Sequence, residues 1–208
     1  MDANLILALA GFAFVTSVTP GPGNFLLLAS GVNFGFRRSL PLVLGISFGF
    51  LFMVLVIGLG LGPVLQRYPL AAAVLRIACL GYVFWLAWRI FRSAPATDDP
   101  ERAAGRPLRF LQAALLQWLN PKAWAVALIV TVSYTASGGS TSDYVASLVS
   151  VILLFGVVNL PSISLWAVSG VALRRLLDDP LRLRRFNAAM AVLLVLSMVP
   201  VILDVSIF

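Results

Sequence analysis

Thr19 Pro20 Gly21 Pro22 Gly23 Asn24 interrupts an apolar run that covers about residues 4–32. The two prolines cannot donate the helical hydrogen bond to the carbonyl four residues back, which releases the carbonyls of Thr16 and Val18. The glycines let the backbone leave helical geometry, so the helix must break there. In hydrocarbon an unpaired backbone group costs several kcal/mol, and such a break is tolerated only where protein or a water-filled cavity satisfies it. The stretch therefore marks an interior site within a membrane span.

The rest of the chain agrees that the run lies in a bilayer. It is 61% hydrophobic and only 11% charged, against roughly 25% charged residues in soluble domains. Crossing the ~30 Å hydrocarbon core takes about 20 apolar residues. Six stretches qualify, at about 4–32, 40–62, 70–90, 108–134, 144–171 and 186–203. The expected fold is an all-α integral membrane protein with six transmembrane helices. The first run is preceded only by Asp2, lacks a basic leader and is too long for a signal peptide, so it is expected to remain as a mature span.

The same composition excludes several functions. One cysteine, Cys79, and no histidine leave no disulfide and no ordinary Cys/His metal centre within the chain, and no cofactor is expected. All eight acidic residues (Asp2, Asp98, Asp99, Glu101, Asp143, Asp178, Asp179 and Asp204) fall at span ends or in loops. The spans therefore lack the general base or metal that a membrane enzyme needs, and the ligands that metal export needs. The net charge of +7 comes from arginines that flank apolar spans rather than forming an aromatic-interleaved face, which argues against nucleic acid.

Orientation follows from those basic residues, because short cytoplasmic loops collect Lys and Arg. The first, third and fifth connections with their flanks hold twelve of the fifteen, Arg67 lies in the second, and Arg76 and Lys122 fall inside spans. Both termini are expected outside the cell and the three basic connections in the cytoplasm of a bacterial inner membrane. Arg76, nearer the outer boundary, is expected to snorkel. Tyr82, Trp85 and Trp88 before Arg89 and Arg92 read as an aromatic belt.

Residues 93–107 form the one long hydrophilic linker and divide the chain into residues 1–92 and 108–208, each with three spans. Two related halves with an odd number of spans must be inverted with respect to each other. Each opens with a span broken by proline, at Pro20 and Pro22 in one and at Pro121 in the other. Paired, interrupted spans at corresponding positions point to a secondary transporter built as an inverted repeat around a midplane site. The fifth span is expected to be disturbed as well, at Asn159 and Pro161. Gly45 and Gly49, one helical turn apart, suit close helix approach and would serve intramolecular packing or a homodimer equally well.

The breaks define the candidate site. Helices restarting after Pro22 and Pro121 would turn unbonded N–H groups and the positive end of a dipole toward the midplane, where anionic groups bind. The carbonyls released upstream, from Thr16, Val18 and Gln117, offer the opposite polarity. A site with both polarities suits a zwitterion such as a small amino acid. The candidate substrate residues are Thr19, Pro20, Gly21, Pro22, Gly23 and Asn24 with Gln117, Asn120, Pro121, Lys122 and Asn159; the amides can both donate and accept. Lys122, near the middle of its span, would cost roughly 2.5 to 3.5 kcal/mol at the bilayer centre. It reads as the cation for a substrate carboxylate or, alternatively, as a tether for the broken backbone.

These motifs carry a resemblance. Thr19 to Asn24, followed by Asn33 Phe34 Gly35 Phe36 Arg37 Arg38 and Leu44 Gly45 Ile46 Ser47 Phe48 Gly49, resembles the opening of the LysE/RhtB family of amino-acid exporters. Gln117 Trp118 Leu119 Asn120 Pro121 Lys122 Ala123 resembles that family's Asn-Pro-Lys motif, and Trp85 Leu86 Ala87 Trp88 Arg89 the end of its third span. Within the family the chain is most similar to the branch that includes cysteine and O-acetylserine exporters. The resemblance implies proton-driven efflux of small amino acids or their derivatives, of cysteine/O-acetylserine or homoserine/threonine type, by alternating access. One departure is Gly23, where the family usually carries Asn or Asp. The remaining alternatives are an exporter of another small solute and a structural or assembly subunit, which would need neither paired breaks nor a central lysine.

Overall fold

The computed structural model describes residues 3–61, 69–92, 107–136, 140–177 and 179–196. Linker residues 93–106, the end of the sixth expected span beyond residue 196, and the side chains of Arg76 and Cys79 lie outside the described residues. The described chain is helical, with α1 at Ala3–Val18, α2 at Pro22–Phe34, α3 at Phe36–Val56 and α4 at Pro69–Phe91. They are followed by α5 at Phe110–Trp118, α6 at Pro121–Tyr134, α7 at Thr141–Arg174 and α8 at Pro180–Leu196.

Both expected breaks are present. α1 and α2 meet at 57° and α5 and α6 at 70°, each across a gap of a few residues. By length and composition α3, continued to Gly60, and α7 are each able to cross a membrane, and each bent pair passes the same test as one span. That makes up to four candidate spans among the described residues. The fifth expected span differs from its reading: α7 runs unbroken through Asn159 and Pro161. A lone proline without flanking glycine loses one hydrogen bond and gains no freedom to turn. Here its ring lies on an exposed face, while Ser162 and Ser164 donate to the carbonyls of Val158 and Leu160 at 2.7 Å. Such hydroxyls help keep a proline-bearing helix intact in lipid.

Sharp reversal between α2 and α3 takes a single residue. Gly35, at φ 78°, occupies backbone space that a side chain would strain, and Ser39 donates back to its carbonyl at 2.8 Å. At the far end of α3 the helix widens into a π turn at Ile57–Leu61 and leaves helical geometry at Gly60, φ 114°.

The two halves interleave. α7 lies against α1, α2 and α3, and α3 lies against α5. Glycine makes these crossings possible. A β-carbon on Gly31 would strike the backbone of Ala167 and Gly170, and one on Gly170 would strike the backbone of Leu28 and Val32. Gly45 and Gly49 pack the same way against Phe110, Ala113 and Ala114 of α5. They therefore serve intramolecular packing, and the homodimer that the sequence left open has no claim on that surface. Two hydrophobic clusters result. One, around Leu27, Leu42, Leu86, Leu116 and Leu194, occupies the arginine-rich end. The other, around Leu9, Met53, Trp124, Leu148 and Phe155, occupies the opposite end.

Overpacking of this kind costs about 1–3 kcal/mol where the neighbour is backbone that cannot yield. Gly31→Ala and Gly170→Ala should each lower the thermal midpoint of the purified protein by several degrees. Gly11→Ala, whose β-carbon would meet nothing within 4 Å, should leave it unchanged or raised.

Candidate functional site

Between the two clusters lies a cavity of about 60 Å³, lined by residues from both helix breaks and from α3 and α7. At ~10–15 Å³ per water-sized sphere it has room for a few waters. Of the candidate residues, Gly21, Gly23, Asn24, Gln117, Asn120, Lys122 and Asn159 line it. Pro22 and Pro121 open α2 and α6 and set the backbone without lining the cavity. Thr19 and Pro20 are exposed and contribute carbonyls instead of side chains.

At the first break the Thr19 N–H still donates to the Val15 carbonyl at 3.0 Å, so helical bonding runs up to Pro20. The neighbouring carbonyls of Ser17 and Thr19 are also partnered, because the Asn24 amide donates to both at 2.8 Å. The Lys122 ammonium, from the second half of the chain, donates to the Thr19 carbonyl at 2.6 Å and lies 3.5 Å from that of Pro20. The lysine threads past Gly21, where a β-carbon would come within 2.9 Å of its Cδ. Its cation thus sits at the negative end of α1, where a helix dipole favours it. Both readings of Lys122 meet in this geometry: it lines the cavity and it ties down the broken backbone.

The second break is closed by its own residues. Asn120 caps α6 by accepting the Lys122 N–H at 3.1 Å. Its own N–H donates to the Gln117 carbonyl at 3.2 Å, so that carbonyl is not open to a ligand. The Trp124 indole donates to the Trp118 carbonyl at 2.9 Å. α2 is different, since Gly21 has no side chain to cap it. Of the two helix N-termini expected to face the site, the first is the open one.

Two side-chain acceptors remain unmatched. Gln117 and Asn159 are 5% and 7% exposed, and Gln117 Oε1 and Asn159 Oδ1 are buried without a hydrogen-bond partner. The Asn159 amide nitrogen is committed to Ser17 Oγ at 2.8 Å. A buried acceptor left unmade costs about 1–3 kcal/mol. Both belong to residues of one cavity, so a ligand with several N–H donors could relieve both.

The opposite wall is apolar. Ile46 and Phe50 of α3, Ala123 and Val126 of α6, and Phe155 and Ile163 of α7 line it. Sequence reasoning missed this wall, together with Ser17, and named Thr16 only for its carbonyl. A signal existed: Phe155 and Ile163 lie one turn either side of Asn159, and Val126 one turn beyond Lys122. A second, smaller cavity lies toward the arginine-rich end and includes Ser30, Asn33 and Arg89. There Asn33 and Asn187 exchange amide hydrogen bonds at 2.9 and 3.1 Å, and the hydroxyls of Ser30 and Ser39 are 2.7 Å apart.

The sequence profile of the LysE type translocator family matches residues 14–203. A protein of Klebsiella pneumoniae named cysteine/O-acetylserine efflux protein is 31% identical over 204 residues, covering 98% of this chain and all of that relative. An Escherichia coli protein of the same name is 30% identical over 196 residues, covering 94% of this chain and 96% of its own. No solved structure matches the chain.

Asn24 and Asn120 carry different structural burdens, and substitution should separate them. Asn24→Ala takes the partner from the buried Ser17 carbonyl and leaves that of Thr19 to Lys122 alone, whereas Asn120→Ala removes one cap, worth about 1 kcal/mol. Thermal unfolding in detergent should show Asn24→Ala as the more destabilised; equal loss would mean that the first break draws its partners from elsewhere.

Proposed function

The chain belongs to the LysE type translocator family, a transporter rather than an enzyme, and from that premise we propose a secondary active exporter of small neutral amino acids or close derivatives. Cysteine and O-acetylserine, named for its relatives, are the first candidates. It works by alternating access in the bacterial inner membrane, coupled to protons, with six spans in two inverted halves. In keeping with two related halves, each broken span lies against the long helix of the other half, α1 and α2 against α7 and α5 and α6 against α3.

The observation that carries this reading is the pair of orphaned acceptors facing a cation across one cavity. A substrate ammonium takes Gln117 Oε1 and Asn159 Oδ1, satisfying both. Its carboxylate takes the Lys122 ammonium and the uncapped N-terminus of α2, where positive charge and open N–H groups coincide. The side chain then lies against Ile46, Phe50 and Phe155, a wall that favours small uncharged groups. The apolar cluster at the arginine-rich end, fastened by the Asn33–Asn187 and Ser30–Ser39 pairs, closes the cytoplasmic side; the linker and both other basic connections lie on that side and the termini lie outside.

Radiolabelled amino acids loaded into cells or everted vesicles test the assignment. Wild type should move one or a few neutral amino acids, and a protonophore should abolish accumulation against a gradient. Gln117→Leu removes a hydrogen bond to a charged group, worth about 1.5–3 kcal/mol, and should raise the apparent KM roughly 10- to 100-fold. Unchanged KM in both Gln117→Leu and Asn159→Leu would overturn the ammonium site. Lys122→Met should abolish transport while the protein still reaches the membrane.

Gly23 sets the width of the cavity. A β-carbon there would lie 3.5 Å from Ile46 Cδ1 and 4.0 Å from Gln117 Oε1, ordinary contact that the fold tolerates. Gly23→Ala should therefore retain stability yet shift the ranking of exported amino acids toward smaller side chains, read in the same panel.

A further inference from the structure

We propose that the groove between α4 and α8 binds one acyl chain of an anionic phospholipid, with Arg92 and Arg184 holding its phosphate. The groove encloses about 460 Å³ and opens outward between Phe84, Trp88 and Phe91 on one helix and Ala188, Val192 and Leu196 on the other. From Phe84 to Phe91 it spans seven helical rises, about 10 Å. That is two-thirds of one leaflet of a ~30 Å hydrocarbon core, a length suited to a lipid tail.

The two helices run antiparallel. Asn33 lies beside Arg89 and Ile90 in the second cavity and exchanges hydrogen bonds with Asn187, which sets Asn187 of α8 level with the last turn of α4. Residues just before Asn187 therefore share an end with residues just after Phe91. Arg184 is one turn before Ala188 on the stripe that lines the groove, and Arg92 is one turn after Trp88 on the other.

Among the described residues, part of the charge at this end is unpaired. Arg182 has Asp179 at 3.8 Å, whereas neither Arg92 nor Arg184 has an acidic partner among the described residues. Arg92 is also held in place, its guanidinium stacked 4.5 Å from the centre of the Trp88 ring. Stacking occupies the face of the guanidinium and leaves its N–H edge for a phosphate, whose geometry that fork fits. Arg89 is stacked instead on Trp85, at 5.0 Å, and lines the internal cavity. The groove thus joins an apolar slot to two exposed cations at its mouth, the pattern of a phospholipid and not of a zwitterionic solute. A second copy of the chain would need an apolar partner face and would leave both cations unmatched.

Native mass spectrometry of the purified full-length protein, titrated with phosphatidylglycerol or phosphatidylcholine, tests the site alongside the thermal midpoint in each lipid. Wild type should retain one phosphatidylglycerol in preference to phosphatidylcholine and be stabilised by it. Arg92→Gln and Arg184→Gln should each weaken phosphatidylglycerol binding roughly fivefold, and Val192→Trp, which fills the slot, should weaken both lipids. Arg174→Gln with Arg175→Gln, removing two charges from the end of α7, should change nothing. Equal loss in that control would make the preference one of net charge and overturn the site. So would wild type that takes up no lipid, because residues 197–208 already cover the groove, or that shows a dimer in place of a lipid adduct.

Discussion

Everything in this molecule depends on finding hydrogen-bond partners for backbone groups where helices stop inside an apolar body. Bulk water is not available to satisfy them, so protein, or a small polar cavity, must do it. At the first break the Asn24 amide takes the carbonyls of Ser17 and Thr19, and a lysine contributed by the other half of the chain takes that of Thr19 again. The second break is met by Asn120 and Trp124 from within. The second break is closed wholly from within, whereas the first, besides its own Asn24, also draws on a residue 103 positions away, so its full set of bonds is made only when the two halves are assembled.

That dependence is matched by the packing. Helices of the first half lie on helices of the second at contacts too close for any side chain, at Gly31 with Gly170 and at Gly45 and Gly49 with α5. Backbone against backbone brings the polar breaks together at one level and leaves an apolar cluster on either side. The cavity lies where these layers meet, with the polar broken ends on one side and core residues of both clusters, Ile46 and Phe155 among them, on the other.

Much of this was legible in the residues. Pro20, Gly21, Pro22 and Gly23 announce a break because proline and glycine act together, and Asn120 before Pro121 is a helix cap followed by a residue that starts helices. Pro161 misled for the converse reason: alone, with hydroxyls nearby, it costs one bond and leaves α7 unbroken. That Asn24 takes the carbonyls of Ser17 and Thr19 could not be read, because counting the bonds that proline removes does not say where a side-chain amide reaches. Nor could the apolar wall of the cavity, since Ile46 and Phe50 look like any other core positions until α3 is placed across the breaks. Long-range pairs such as Asn33 with Asn187 have no local signature at all.

The Lys122 ammonium already rests on the carbonyls of Thr19 and Pro20. A ligand that claims this cation does not add an interaction to an idle group; it displaces one the protein makes with itself. On the function proposed above, the gain on capture would be a difference between two sets of bonds, and the vacated carbonyls would draw the lysine back once the ligand left. For a carrier of the kind proposed, the carbonyls of Thr19 and Pro20 would thus act as an internal competitor for the lysine and set a ceiling on affinity.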